Sequence, residues 1–285
     1  MKQVVLITTG RCEQLALGAS LKRYFPDATF ITPEHRHSFT STRVQLTPAP
    51  PPRPGGPEPV VDRLAKAMVA MTDPGRDGVP PDLVIAVDDV ELVNLNQIEV
   101  VTSTLRNAVK RHLDTFAWSS ARRREQAAER VREHCSFHLL CPMLEAYFFG
   151  EPAALTRAGA KRPSTVDAQT HDLEDFLTEE AEFLAAPTDS KHWAKADRAK
   201  HPKRYLQYLI DPEGADEKSY REAEGGMRAL RDLDWSRVLS VEAHTQLARS
   251  LFSDLADALG VDSPFLDPCH PLTSNRRADR VLRNL

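Results

Sequence analysis

Hydrophobic positions near the start of the chain follow first a strand pattern and then a helical one. Residues 4–9 and 28–32 are short runs rich in β-branched side chains, which predict strands. Between them, apolar residues at helical spacing predict a helix over 13–25, which Pro26 ends. The opening of the chain therefore predicts a strand, a helix and a second strand.

The same alternation continues to about residue 150. Helical periodicity predicts helices over 60–71, 97–116 and 119–134. A continuous apolar run over 82–89, bounded by turn residues and ending in acids, is typical of a buried central strand of a parallel sheet. Residues 135–140 predict another strand. Strands that alternate with helices over this length predict an α/β fold, in which helices flank a mostly parallel sheet.

The pattern changes beyond residue 150, where apolar runs shorten and prolines separate helical segments. We therefore expect two parts, an α/β domain over 1–155 and a mostly helical C-terminal region over 156–285 that packs on it. Residues 48–59 contain half of the prolines of the first part and predict a surface loop or stiff spacer.

Composition adds few restrictions to this picture. The 285 residues are 41% hydrophobic and 27% charged, with a formal net charge of -4, as expected for one large or two small globular domains. A net charge this close to zero neither implies nor excludes a nucleic-acid substrate, and any phosphate-binding surface has to be local. Four scattered cysteines and the lack of a long apolar run predict reduced thiols, a cytoplasmic location and no membrane span.

Acidic residues follow three of the predicted strands. In an open parallel sheet the carboxyl ends of the strands lie at one edge, where ligands bind and where residues distant in sequence meet. Carboxylates that gather there repel one another unless a cation lies among them, and hard oxygen ligands favour Mg²⁺ or Mn²⁺. The candidate metal ligands are Glu13, Asp88, Asp89, Glu91 and Glu145.

Each of these acids also has a simpler interpretation. Acids after a strand commonly cap the next helix or lie in solvent, and Asp88 and Asp89 point to opposite faces if the strand continues through them. The combination, rather than any single carboxylate, favours a metal site. Other site types are less well supported, because the chain has neither a glycine-rich phosphate loop nor a nucleophile elbow.

Several short motifs together resemble a known family. A glycine turn with an acid, Gly10 and Glu13, follows the first strand, and the paired Asp88 and Asp89 end a later one. The segment 144–155 begins Leu-Glu-Ala-Tyr-Phe-Phe, and 202–206 reads Pro-Lys-Arg-Tyr-Leu. This order resembles an uncharacterised bacterial family with a TOPRIM-like, Rossmann-like fold, related to the TOPRIM domains of overcoming-lysogenization-defect nucleases and phage-defence proteins.

The resemblance implies a Mg²⁺- or Mn²⁺-dependent nuclease that acts on DNA or RNA, in prokaryotic phage defence or a mobile element, with a possible defence-system protein as partner. It implies catalytic roles for Glu13, Asp88, Asp89 and Lys203, and metal binding by the five acids named above. Lys203 and Arg204, with Gly10, would contact the substrate phosphate.

One departure from the family pattern leaves other functions open. Thr9 stands where the signature has its first Glu, and a hydroxyl does not replace the charge of a carboxylate. If this departure abolishes catalysis, the chain is instead an inactive interaction module. It would bind a partner protein or nucleic acid through an acidic block over 172–182 and a basic block over 191–204. A third possibility is a nucleotide-binding enzyme that uses residues 88–91 as a metal-diphosphate clamp.

Overall fold

A four-stranded sheet forms the centre of the fold. The computed structural model describes residues 2–34, 58–73, 78–265, 269–273 and 280–285. Its strands are β1 (Lys2–Thr8), β2 (Ala28–Ile31), β3 (Leu83–Asp89) and β4 (Cys135–Leu140). They are all parallel and lie in the order β2-β1-β3-β4. The predicted α/β layout with a parallel sheet is therefore confirmed, and it is consistent with a Rossmann-like arrangement.

Helices connect and follow the strands. They are α1 (Arg11–Lys22), α2 (Val60–Met71), α3 (Ile98–Thr115), α4 (Ala121–His134), α5 (Glu145–Phe148), α6 (Pro152–Ala158), α7 (Ala181–Ala185), α8 (Pro202–Ile210), α9 (Met227–Arg231), α10 (Trp235–Val238) and α11 (Gln246–Leu259). A π-helical turn, Glu222–Gly226, precedes α9. Within the described residues no strand follows Leu140, as the change of pattern predicts. None of the described helices is both long and apolar enough to span a bilayer.

The predicted element bounds differ most at α1, which begins and ends earlier than the pattern indicated. The backbone N–H groups of Tyr24 and Phe25 both donate to Leu21 O, at 3.0 Å, and close the helix as a turn. Phe25 is buried in the core, so its apolar character reflects tertiary packing rather than helical periodicity. The predicted Pro-rich loop over 48–59 lies outside the described residues apart from its last two positions.

The two faces of the sheet pack against different parts of the chain. Val84 and Ala86 of β3 face a hydrophobic cluster built with α2, α3 and α4. Ile85 and Val87 alternate with them and face a second cluster, which combines α1 with residues from α5, α6 and the helices after residue 200. This second layer is what brings the C-terminal residues to the carboxyl edge of the sheet.

The outer edge of β4 is covered by the last described residues. The Asn284 side chain accepts from Phe137 N at 3.0 Å and donates to Phe137 O at 2.7 Å, as a neighbouring strand would. Arg283 N donates to Cys135 O at 2.7 Å. None of the cysteines in the described part of the chain forms a disulfide.

Candidate functional site

An open cavity of about 460 Å³ lies at the carboxyl ends of β1 and β3. Its walls come from these two strand ends, from the first turns of α1 and α5, and from α8 and the π-helical turn. All the residues that the sequence predicted for the site line it, namely Gly10, Glu13, Asp88, Asp89, Glu91, Glu145, Lys203 and Arg204. The fold therefore brings together residues nearly 200 positions apart.

Gly10 allows the Glu13 carboxylate to lie over the start of α1. A Cβ atom at position 10 would lie 2.0 Å from Glu13 Oε2, a distance that no real contact reaches. Gly10 is the N-cap of α1, and Glu13 is in the first turn, where the helix dipole favours a negative charge. The glycine thus makes room for a buried carboxylate at the floor of the cavity.

The two aspartates at the end of β3 have different environments. The strand continues through both, so Asp88 lies on the side of Val84 and Ala86, and Asp89 on the side of Ile85 and Val87. Asp88 is buried and accepts a hydrogen bond from Thr9 Oγ1 at 2.5 Å. Asp89 is half-buried and accepts from Leu144 N at 3.0 Å. The alternation makes Asp89 the β3 acid that faces Glu13 and Glu145.

A short loop after β4, residues 141–144, fixes the acids at the end of β3. Pro142 O accepts from Glu91 N at 2.7 Å, while the Leu144 amide binds Asp89. Glu91 has φ 65°, a positive value that is unfavourable for a residue with a side chain. The contacts with the loop stabilise this backbone conformation. The loop is itself held by Tyr147, whose hydroxyl accepts from Cys141 N at 3.1 Å and donates to Glu174 Oε1 at 2.8 Å.

Four carboxyl groups in the cavity have raised pKa values. Burial is the main cause for each of Glu13, Asp89, Glu91 and Glu145, and repulsion by neighbouring carboxylates adds to it at all four. The pKa of Glu13 is raised to about 7. Without a cation, negative charge at this edge of the sheet is therefore unfavourable, which is the electrostatic condition for a cation-binding site.

Two basic residues of α8 also line the cavity. Lys203 at the start of α8 forms an ion pair with Glu222, and Arg204 pairs with Asp197. Burial alone would lower the pKa of Lys203, but attraction by Glu145 and Glu222 outweighs it and raises this pKa above the usual range. The ammonium is therefore charged and is attracted by the carboxylates that form the acidic wall of the cavity, Glu13, Asp89, Glu91 and Glu145.

Sequence reasoning missed Glu222 and Tyr220. Tyr220 donates from its hydroxyl to Glu145 Oε1 at 3.1 Å, and Glu222 is the partner of Lys203. Both lie in or next to a π-helical turn, which has no apolar periodicity. The Gly225–Gly226 pair was the available signal, because two adjacent glycines often mark a close approach of the backbone to another element.

The donor set fits Mg²⁺ or Mn²⁺ in its chemistry, because it consists of carboxylate oxygens. Among the described residues, no three His, Cys, Asp or Glu side chains already stand close enough to hold a metal ion. Carboxylates that repel one another separate when no cation is present, and their side chains would have to converge on an ion. The residues therefore fit a metal site in their type and in lining the same cavity.

Part of the predicted acidic block has a structural role. Glu174 is buried and accepts from Leu247 N and Ala248 N, both at 2.9 Å, at the start of α11. Asp172 accepts from Thr245 N at 3.0 Å. These carboxylates satisfy N–H groups that the first turn of a helix leaves without partners.

No family model matches the chain, and neither a curated protein nor a solved structure matches it.

Proposed function

We propose that the chain is a Mg²⁺- or Mn²⁺-dependent nuclease-like protein with a TOPRIM-like domain, which cleaves phosphodiesters of DNA or RNA. The observation that carries the proposal is that four carboxylates, from three separate stretches of chain, line one open cavity together with a charged lysine. The resemblance of the motifs supports the same reaction and a role in phage defence or a mobile element.

Each wall of the cavity would have its own task in this reaction. Glu13, Asp89, Glu91 and Glu145 would hold the cation, and Asp88 with its Thr9 hydrogen bond would lie beside them. When bound, the metal would supply Lewis acidity and neutralise charge on the phosphate. Lys203 and Arg204, which line the same cavity, would donate charge-assisted hydrogen bonds to phosphate oxygens.

The first experiment measures hydrolysis of bis(p-nitrophenyl) phosphate and of labelled single-stranded DNA and RNA, with Mn²⁺, with Mg²⁺ and with EDTA. We expect cleavage that requires the metal and that falls by more than about 100-fold in Glu13→Gln and Asp89→Asn. Glu179→Gln is the control, because it removes the same charge from an exposed position outside the cavity lining. Undiminished cleavage by both cavity variants would overturn the proposal.

The second candidate function is an interaction module that has lost catalysis. The Thr9–Asp88 hydrogen bond favours it, because a neutral hydroxyl occupies a place beside Asp88 where the resembling family has a carboxylate. A calorimetric titration with Mn²⁺ separates the two. Saturable binding that Glu13→Gln weakens supports the enzyme, and an absence of binding supports the module.

A further inference from the structure

Glu222 brings a further carboxylate to the cavity from the C-terminal half of the chain. It forms an ion pair with Lys203, and the two side chains are 37% and 33% exposed, so the pair lies at the cavity wall rather than in the core. Glu145 and Asp89 also attract the Lys203 ammonium. The lysine is therefore held between its direct partner Glu222 and two carboxylates of the acidic wall.

The backbone around Glu222 has an unusual form that places this carboxylate. Gly226 N donates to Arg221 O at 3.2 Å, five residues earlier, which makes the turn π-helical. A Cβ atom at Gly225 would lie 2.5 Å from Ala158 O, and one at Gly226 would lie 2.6 Å from Tyr220 Oη. Only glycine allows the turn to lie this close to its neighbours, and π-helical turns are frequent at functional sites.

We propose that Glu222 is a positioning residue for Lys203, and that the Gly225–Gly226 turn serves to place it. The inference rests on the proposed function, in which Lys203 binds a substrate phosphate. An ammonium has three donors, so the bond to Glu222 fixes its place and leaves donors for phosphate oxygens. Without Glu222, the lysine would be drawn to Glu145 and Asp89, where it would oppose the cation instead of binding the phosphate.

Glu224 provides a matched control on the same turn. It lies two residues further along, is exposed, and pairs with Arg221 at 2.9 Å instead of with a cavity residue. Glu224→Gln and Glu222→Gln therefore remove the same charge from the same backbone turn. Only the second substitution removes the partner of Lys203.

The kinetic test is a double-mutant cycle with bis(p-nitrophenyl) phosphate and Mn²⁺. We expect Glu222→Gln to lower kcat by about tenfold or more, and Glu224→Gln to leave it unchanged. In a Lys203→Met background Glu222→Gln should have no further effect, since it acts through the lysine. Equal activity of the two glutamine variants, or additive losses in the double variant, would overturn the inference while leaving the proposed function intact.

Two measurements on the protein without substrate complete the test. Modification of Lys203 by an amine-reactive reagent, followed by mass spectrometry, should change in rate by several-fold in Glu222→Gln, because the ammonium moves, and should proceed at the same rate in the wild type and Glu224→Gln. Titration with Mn²⁺ should give the same stoichiometry in all three proteins. Equal modification rates, or loss of the Mn²⁺ site in Glu222→Gln alone, would overturn the positioning role. A wild type that neither binds Mn²⁺ nor hydrolyses the substrate would instead overturn the proposed function itself.

Discussion

At the scale of single residues, burial of the Glu13 carboxylate carries an electrostatic cost. Its position depends on Gly10, because any side chain at residue 10 would occupy the space of the carboxylate oxygens. Burial and the repulsion of Glu145 and Glu222 raise its pKa to about 7 from the ordinary 4.5. The folded protein therefore holds this proton more tightly than the unfolded chain does.

This difference predicts how stability depends on pH when no metal is present. A raised carboxyl pKa contributes stability that is fully present below about pH 4.5 and is lost as the pH rises through 7. A glutamine at position 13 cannot ionise, so the Glu13→Gln variant does not lose this stability. Its unfolding free energy minus that of the wild type should increase by about 2–3 kcal/mol between pH 5 and pH 8. Urea denaturation in EDTA at the two pH values measures this change.

Glu179→Gln serves as the comparison, because this exposed acid should change stability by less than about 0.5 kcal/mol at both pH values. If the difference in unfolding free energy between Glu13→Gln and the wild type is the same at pH 5 and pH 8, Glu13 ionises as an ordinary carboxyl group.

At the scale of elements, the loop over residues 141–144 connects the core to the site. Tyr147 holds its first residue, and the loop in turn fixes Glu91 and Asp89. Tyr147→Phe removes the hydroxyl that accepts a hydrogen bond from Cys141 N and donates one to Glu174 Oε1. We expect a loss of about 1–3 kcal/mol in unfolding free energy and of about 10–100-fold in Mn²⁺ affinity, measured by denaturation and calorimetry.

Tyr24→Phe is a closely matched control for this variant. The Tyr24 hydroxyl also donates to a carboxylate, Asp234 Oδ1, and accepts from a backbone amide, Ser236 N, both at 3.2 Å. It follows the end of α1 that lies away from the cavity. Equal losses of Mn²⁺ affinity in the two variants would show that Tyr147 has no particular effect on the site.

The elements that the sequence predicted well are those with a strong local signal. The bounds of α2 match the prediction, and α4 begins two residues after its predicted start, where the Ser120 side chain accepts from Arg123 N as an N-cap. β3 was predicted from its apolar run, and the opposite orientation of Asp88 and Asp89 follows from strand alternation.

The two residues of the site that sequence reasoning missed depend on tertiary contacts. Glu222 reaches Lys203 only because the Gly225–Gly226 turn fits against α6 and α1, which no local pattern encodes. The same holds for Tyr220, whose partner Glu145 is 75 residues earlier in the chain.

At the scale of the whole molecule, one face of the sheet depends on residues far along the chain. Val4, Leu6 and Ile85 belong to the same hydrophobic cluster as Trp235 and Phe252. Trp235 Nε1 also donates to Ser20 Oγ of α1 at 2.9 Å, in the core. The helices after residue 200 therefore complete the core of the α/β part in addition to lining the cavity.

This shared core predicts that the first part of the chain does not fold alone. A fragment over residues 1–158 would expose the sheet face that Trp235 and Phe252 cover, and we expect it to bind a hydrophobic dye and to lack a cooperative thermal transition. The whole chain, measured by circular dichroism and tryptophan fluorescence, should unfold in one coincident transition. A cooperative transition in the fragment would show that the two parts are independent.

The covered edge of β4 has a consequence for self-association. A bare edge strand offers unpaired amide and carbonyl groups to any passing extended peptide, which is a common route to aggregates. Here the Asn284 side chain is hydrogen-bonded to both the amide and the carbonyl of Phe137. This edge of the sheet therefore has no unpaired backbone group at Phe137 with which another strand could pair. Copies of this protein that meet side by side cannot extend the sheet from one molecule into the next at Phe137.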